Sequence, residues 1–346
     1  MGLNIDIYAN DGSPIGVIPP HIYGKGVGGA ELALMSWAEV MAQRGHQIRI
    51  YNDPVSPGTY DKVRYYHRDT FKPRDKRDVF ILWRSPNPVV RTVKAGLKIH
   101  WSTDQYTIGN FATDIFPFVD KVVCISPFHV NYHRNRYKVE NGKIGYFDLG
   151  VRLDDYELET EKIPGRCIFC SVPDRGLDML YALWPRIKER VPEASLVITS
   201  DYRLWGVDNP NNHGHRLKWL HQKDVIFLGK IPREQLVKEQ AAAVCHPYPC
   251  TYEELFCISS AECQVAGAFS VTSTTGALQS TNEFGSRIAG NLIHKSWQDN
   301  FVTTVCDSMT IDPDTRQEQQ QQARRRFDWH RICEQWEQLI ETGEFE

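Results

Sequence analysis

At 346 residues and a formal net charge of −3, the chain is long enough for two domains of ordinary size and lacks the basic excess of a nucleic-acid binder. Its composition is that of a globular protein, and no window approaches the roughly 18 apolar residues of a membrane-spanning helix. The nine cysteines, an odd number set mostly within apolar runs, predict reduced, buried thiols and a cytoplasmic protein, and MGLNIDIYANDG has neither the charged start nor the apolar run of a signal peptide.

Strand and helix patterns alternate along the chain. LNIDIY reads as a strand, AELALMSWAEVMAQRG as a helix ending at Gly45, and HQIRIY as a strand. A basic, irregular stretch from Val63 to Arg77 precedes three β-rich runs, DVFILWR, LKIHWS and KVVCIS. KIGYFDLG then gives way to the polar LDDYELETEKIPG, a shift in composition that marks a domain boundary near residue 155. The pattern restarts with the strand RCIFCS, the helix GLDMLYALWPRIKERV and the strand ASLVITS. A looser segment rich in Asn and His follows, then DVIFLG, a helix from Pro232, AAVCHPY, a helix from about Ile258, and AFSVTS. The chain ends in an amphipathic helix, RFDWHRICEQWEQLIE, with QEQQQQ before it read as a solvated helix start. This alternation predicts an α/β protein of two Rossmann-like domains, 1–155 and 156–326, with a ligand-binding cleft between them.

The stretch GKGVGGAE fits G-x-G-x-x-G with Gly24, Gly26 and Gly29. Read as a dinucleotide fingerprint, with Asp53 as the ribose-binding acid, it makes an NAD-dependent oxidoreductase the rival reading. A true fingerprint follows its strand directly, whereas Ala9 to Tyr23 intervene here. The glycines nevertheless open a helix, where the amides of Gly28, Gly29 and Ala30 are suited to an anion or hydroxyls.

A second constellation lies in HPYPCTYEELFCISSAECQVAGAFSVTS, His246 to Ser273. Glu254 precedes a helix that starts near Cys257 to Ser259, and Glu262 lies one turn inside it. The amides of Phe256, Cys257 and Ile258 end that helix and favour a diphosphate. Glu262 is placed to accept hydrogen bonds from vicinal ribose hydroxyls, and Glu254 to hold a sugar just beyond the phosphates. Ser171 and Arg175 stand at a strand end before a helix, where Arg175 can neutralise a diphosphate without a metal. Two cysteine and acid motifs are set aside. Cys167 and Cys170 spell C-x-x-C, but inside a strand pattern with no second pair at zinc spacing. Asp312-Pro313-Asp314 matches D-x-D but follows no clear strand.

Together, S-x-P-x-R-G-L-D (171–178), F-L-G-K-I-P-R-E-Q-L (227–236), E-x7-E ending at Glu262 with Gly267 behind it, the G-G-A-E loop and the closing F-D-W-x-x-I-C resemble the retaining GT-B glycosyltransferases of family 4, over nearly the whole chain. The resemblance implies a GT-B fold and retaining transfer of a hexose from a nucleoside diphosphate sugar, with UDP-glucose the best guess. The acceptor would be a glycan or a lipid-linked glycan of cell-surface polysaccharide biosynthesis, with no cofactor and no required metal. It also implies that Glu262 binds the donor ribose, Glu254 the transferred sugar and Arg175, with Ser171, the diphosphate. Gly229 to Arg233, Ile231 included, would flank the base, and the Gly28-Gly29 loop would close over phosphates and acceptor. The 327–346 helix would return to the N-terminal, acceptor-side domain. Three positions depart from the pattern. Ser171 replaces a frequent Arg, Cys257 replaces a glycine, and Thr103-Asp104 replaces H-D, which puts Asp104 near the donor sugar and leaves His100 as a core histidine. The basic segments Arg64 to Arg77 and Arg134 to Lys138 are the candidates for peripheral contact with the inner face of the membrane. Besides the oxidoreductase, a sugar-nucleotide epimerase, a hydrolase or a non-catalytic sensor could use the same architecture.

Overall fold

The computed structural model describes residues 2–9, 16–24, 26–105, 110–139, 141–205 and 209–345. Lys25 of the glycine motif and residues 10–15 of the preceding stretch lie outside it.

The first sheet is built from β1 (Asn4–Tyr8), β2 (Gln47–Asn52), β3 (Gly58–Tyr60), β4 (Val63–His67), β5 (Val79–Trp83), β6 (Leu97–Trp101), β7 (Lys121–Cys124) and β8 (Ile144–Tyr146). Their order is β3-β4-β2-β1-β5-β6-β7-β8, and every neighbouring pair is parallel except the β3–β4 hairpin at one edge. All five residues of β5, VFILW, are buried, as a parallel strand covered on both faces requires. The second sheet comprises β9 (Arg166–Phe169), β10 (Ser195–Ile198), β11 (Val225–Phe227), β12 (Cys245–Tyr248), β13 (Phe269–Ser273) and β14 (Ser286–Ile288). It is wholly parallel, in the order β11-β10-β9-β12-β13-β14. Each sheet therefore reverses its winding direction once, between β1 and β5 in the first and between β9 and β12 in the second. In open α/β sheets, the crevice beyond the carboxyl ends at such a reversal is where ligands bind.

The structure departs from the sequence reading in three places. The stretch from Val63, read as irregular, contains β4, the strand next to the edge, in which Val63 and Tyr65 are buried while Arg64 is exposed. The run's last residue, Arg77, is buried beside Asp6 (Nε to Oδ2, 2.8 Å), which Arg49 also pairs at 2.5 Å. Part of the basic run thus neutralises a carboxylate in the middle of β1. The Asn- and His-rich segment contains a helix, Asn211–Trp219, anchored by Trp219, which is buried edge-on to Tyr181 at 5.2 Å. The C-terminal helix is two helices, Pro313–Arg326 and Trp329–Thr342. Asp312 caps the first of these by accepting from the Thr315 amide at 2.9 Å, with Pro313 at its first position, so D-x-D here is a helix start.

The chain divides into two compact units: Met1–His21 with Ala30–Gly150 and Trp329–Glu346, and Ile22–Gly29 with Val151–Asp328. The first unit holds the last helix by aromatic packing and charge. Trp336 lies edge-on to Trp37 (5.1 Å) and Trp101 (5.0 Å), and Glu337 accepts two hydrogen bonds from Arg44 (3.0 and 2.7 Å). Ile22–Gly29, which carries most of the glycine motif, goes with the second unit, although it lies early in the chain.

Candidate functional site

In the second unit, the exits of β9 and β12 meet at the reversal point. β9 runs into Ser171 and a short turn, Pro173–Arg175. The chain then passes through Gly176 at φ +102°, where a Cβ would sit 2.2 Å from the Pro249 carbonyl oxygen, so only glycine allows this approach. Tyr248, the last residue of β12, donates its hydroxyl to Glu254 Oε1 at 2.7 Å and lies 3.2 Å from Ser171 Oγ. Arg175 Nε stands 3.5 Å from the same carboxylate oxygen, and its guanidinium lies over the Tyr252 ring at 3.3 Å. Burial pushes the Glu254 carboxyl above the usual range, against the opposing pull of Arg175 and Tyr248. Gly276 holds Glu254 from behind. At φ +63°, a Cβ there would meet the Glu254 main-chain carbonyl oxygen at 2.4 Å, and the Ala277 amide donates to that carbonyl at 2.7 Å.

The helix after Glu254 spans Ile258–Val265, and Cys257 caps it at φ +76°, the left-handed region that favours glycine. A side chain there costs about 1–2 kcal/mol. Cys257→Gly is therefore expected to unfold at higher urea than Cys257→Ala by that margin, since both lose the thiol and only alanine keeps the strain; equal midpoints would refute the backbone argument. Phe256 is buried and meets Phe327 edge-on at 5.9 Å.

Glu262 lies one turn into this helix, 4% exposed, with both oxygens engaged. Arg233 donates to Oε1 at 2.7 Å and Gln240 to Oε2 at 3.2 Å. Arg233 also donates to Asp155 at 2.5 Å, and Tyr156 donates to Gln240 at 2.6 Å. Glu262 is thus the centre of a buried ionic network and separate from the Ser171–Arg175–Glu254 group. Each of its oxygens still has a second lone pair.

Gly229 takes φ +72° beside Asp201, whose carboxylate accepts from the Lys230 amide at 3.3 Å. Ile231 and Ile258 each press on a glycine of the early loop. A Cβ on Gly26 would lie 2.8 Å from the Ile231 oxygen, and one on Gly29 would lie 2.6 Å from Ile258 Cγ2. Gly26 and Gly29 are thus required by packing within the second unit; Gly28 beside them is partly exposed.

In the first unit, Asp104 follows β6 and pairs with Arg84 (Oδ2 to Nε, 3.0 Å), which also holds Glu31 at 2.7 Å. Arg84 directly follows β5, at φ +65°, with its guanidinium over Trp83 at 4.3 Å. A bulky residue in that region marks a constrained site. His100 is fully buried, 5.4 Å from Phe111, as expected of a core histidine. Asp53, the acid the oxidoreductase reading needs, is engaged by Arg68 at 2.8 Å and His67 at 3.3 Å.

The sequence reading missed Tyr248, Tyr252, Arg233, Gln240, Arg84 and Glu31 as partners. The first four sit within motifs already singled out or beside them, but their pairing joins residues up to 84 positions apart and has no local signature. The positive φ of Arg84 leaves no trace in DVFILWR.

No protein-family model matches the chain, and no curated protein matches its sequence. Solved structures do resemble it. Sucrose-phosphate synthase from Thermosynechococcus elongatus aligns at a TM-score of 0.71 and 15% identity, over 98% of each chain. A glycosyltransferase from Rickettsia africae aligns at 0.71 and 13%, again over 98% of each. Anabaena HepE, solved in complex with UDP-glucose, aligns at 0.67 and 14%, over 98% of this chain and 100% of that one. The fold is therefore α/β with two Rossmann-like domains, the GT-B architecture of those glycosyltransferases. Among the described residues, no helix is long and apolar enough to cross a membrane.

Proposed function

We propose that the protein is a retaining glycosyltransferase of the family 4 type, moving a hexose from a nucleoside diphosphate sugar to a glycan or lipid-linked acceptor in cell-surface polysaccharide biosynthesis. It would work in the cytoplasm, at the inner face of the membrane where the acceptor is lipid-linked. The observation that carries this reading is the convergence of Ser171, Arg175, Tyr248 and Glu254 at the reversal point of the second sheet. UDP-glucose is the donor to test first, since a neighbour of the same fold was solved with it.

In this reading Arg175, Ser171 and the amides of Phe256, Cys257 and Ile258 hold the diphosphate. Charge builds on that group as the glycosidic bond breaks through an oxocarbenium-like transition state, and donors fixed there in advance stabilise it. The diphosphate then needs no metal, and the reaction no cofactor. Glu254 accepts hydroxyls of the transferred sugar. Glu262 takes ribose hydroxyls on its remaining lone pairs, while Arg233 and Gln240 fix its orientation. Gly229 and Ile231 flank the base, and the Gly28 and Gly29 amides approach the phosphates. Retention follows if the acceptor attacks the face from which the diphosphate leaves and the leaving phosphate takes its proton.

Thermal unfolding with UDP, GDP, ADP, UDP-glucose and NAD tests the reading. A nucleotide at 100 times its Kd stabilises by about 2.7 kcal/mol, so UDP and UDP-glucose should raise Tm while NAD should not. The shift should vanish in Glu262→Ala. A shift with NAD alone, or an undiminished UDP shift in Glu262→Ala, would overturn it. Product analysis with and without acceptor then separates transfer from hydrolysis.

A further inference from the structure

The two cysteines of C-x-x-C diverge in the structure. Cys167 points into the core that contains Leu180, Trp184 and Val305, while Cys170 enters a separate small cluster with Ile168, Ala243, Ala268 and Cys263. There Cys170 Sγ lies 3.6 Å from Cys263 Sγ, a residue 93 positions away. His246, from β12, completes a trio whose ligand atoms all lie within 4.8 Å of one another, and all three residues are buried. The His246 ring is oriented by Ser270, whose Oγ lies 3.1 Å from Nδ1. Its other nitrogen, Nε2, is buried with no hydrogen-bond partner among the described residues.

We propose that Cys170, Cys263 and His246 form a structural site for a thiophilic divalent metal, Zn(II) in the first instance. Two thiolates and one imidazole suit Zn(II), and its Zn–S bonds of about 2.3 Å place tetrahedral sulfurs about 3.8 Å apart, close to the 3.6 Å found. An imidazole fixed through Nδ1 presents the lone pair of Nε2, the arrangement that metal-ligating histidines share. A small ligand such as water completes the four positions. Binding releases the two thiol protons to solvent, and no redox change is involved.

The three ligands adjoin the candidate functional residues in the chain but are distinct from them. They come from the end of β9, from β12 and from the Ile258–Val265 helix, where Cys263 directly follows Glu262. Gln240 joins the two groups, with its amide 3.6 Å from Cys170 Sγ and 3.2 Å from Glu262 Oε2. A bound metal would therefore brace the helix that presents Glu262. The inference does not depend on the glycosyltransferase reading.

Because the ligands are buried, the metal is supplied during expression, with Co(II) as the spectroscopic probe for Zn(II). The full chain should retain about one cobalt per molecule and show thiolate-to-cobalt charge transfer with the intense visible bands of a tetrahedral site. Those bands should disappear in Cys170→Ser and Cys263→Ser. They should persist in Cys124→Ser, which alters a second buried trio, Cys124, His129 and His133, whose Nε2 atoms already share Ser102 Oγ at 3.4 and 2.9 Å. For wild-type protein grown with Zn(II), Tm should exceed that of protein grown without it by roughly 5 °C, and His246→Gln should remove the difference. Absence of retained cobalt, bands that survive in Cys263→Ser, bands lost only in Cys124→Ser, or a Tm independent of Zn(II) would each overturn the proposal.

Discussion

Arg175→Ala is expected to slow UDP release from UDP-glucose by roughly 100- to 1,000-fold, the usual cost of removing one fixed donor from a site of developing charge. The reason is local. Arg175 is a cation beside Glu254, where the β9 and β12 exits meet, and Gly176 behind it packs so close to the Pro249 carbonyl that no Cβ fits there. Arg175→Lys should recover little, because an ammonium cannot reproduce a planar guanidinium lying over Tyr252. A pH profile separates this role from simple support of the fold. Burial raises the Glu254 carboxyl and Arg175 opposes that rise, so its loss leaves the carboxyl protonated at higher pH. The acidic limb of the residual activity should therefore move to higher pH in Arg175→Ala, and in the same direction in Tyr248→Phe. An unchanged rate with an unchanged limb would remove Arg175 from the proposed chemistry.

The second large effect is expected in stability. Between pH 7.5 and 5.0, the protein should lose roughly 4 kcal/mol of unfolding free energy through His100 and His133. Burial lowers His100 to about 3, with the neighbouring His133 adding to the shift, and burial lowers His133 to about 4. Both folded values lie below the ordinary histidine value, so below about pH 6.5 the unfolded chain binds protons that the folded chain refuses. Stability from this source is complete above that pH and is lost as pH falls, at about 2 kcal/mol per histidine by pH 5. His129, also lowered chiefly by burial, acts in the same direction. Its Nε2 lies 3.2 Å from the Asp104 carbonyl oxygen, so acid should loosen the segment that carries Asp104. Urea midpoints at the two pH values check the slope, and His133→Gln should reduce the loss by about 2 kcal/mol. A midpoint that does not change with pH would show that these imidazoles are not neutral in the folded protein.

Much of the fold was legible because parallel strands buried on both faces must be apolar along their whole length. VFILW, KVVC and CIF announce themselves for that reason, and the helix after Cys257 begins where its sequence says. The strand at Val63 was not legible, because only alternate residues are buried and its exposed arginine reads as loop. The helix at Asn211 was hidden in the same way, since a single tryptophan fastens it to the core. In the candidate site, Ser171, Arg175 and Glu254 were legible as residues, but that Tyr248 links them was not. The motif also gave Glu262 its place in the helix but no hint of the arginine and amide that enclose it. The C-x-x-C pair suggested two neighbouring thiols, yet the strand sends them to different cores and gives Cys170 a partner 93 residues away.

By itself the sequence determined the alternation of strands and helices, the two-sheet architecture and the chemical types available at each strand end. All of these follow from periodicity and from residues a few positions apart. Only the tertiary structure decided which acids are paired, which glycines are required by packing, which histidines are held neutral and which thiols meet. Charge pairing, desolvation and steric approach act through space at a few ångströms, and the fold brings to that distance residues that the chain keeps far apart.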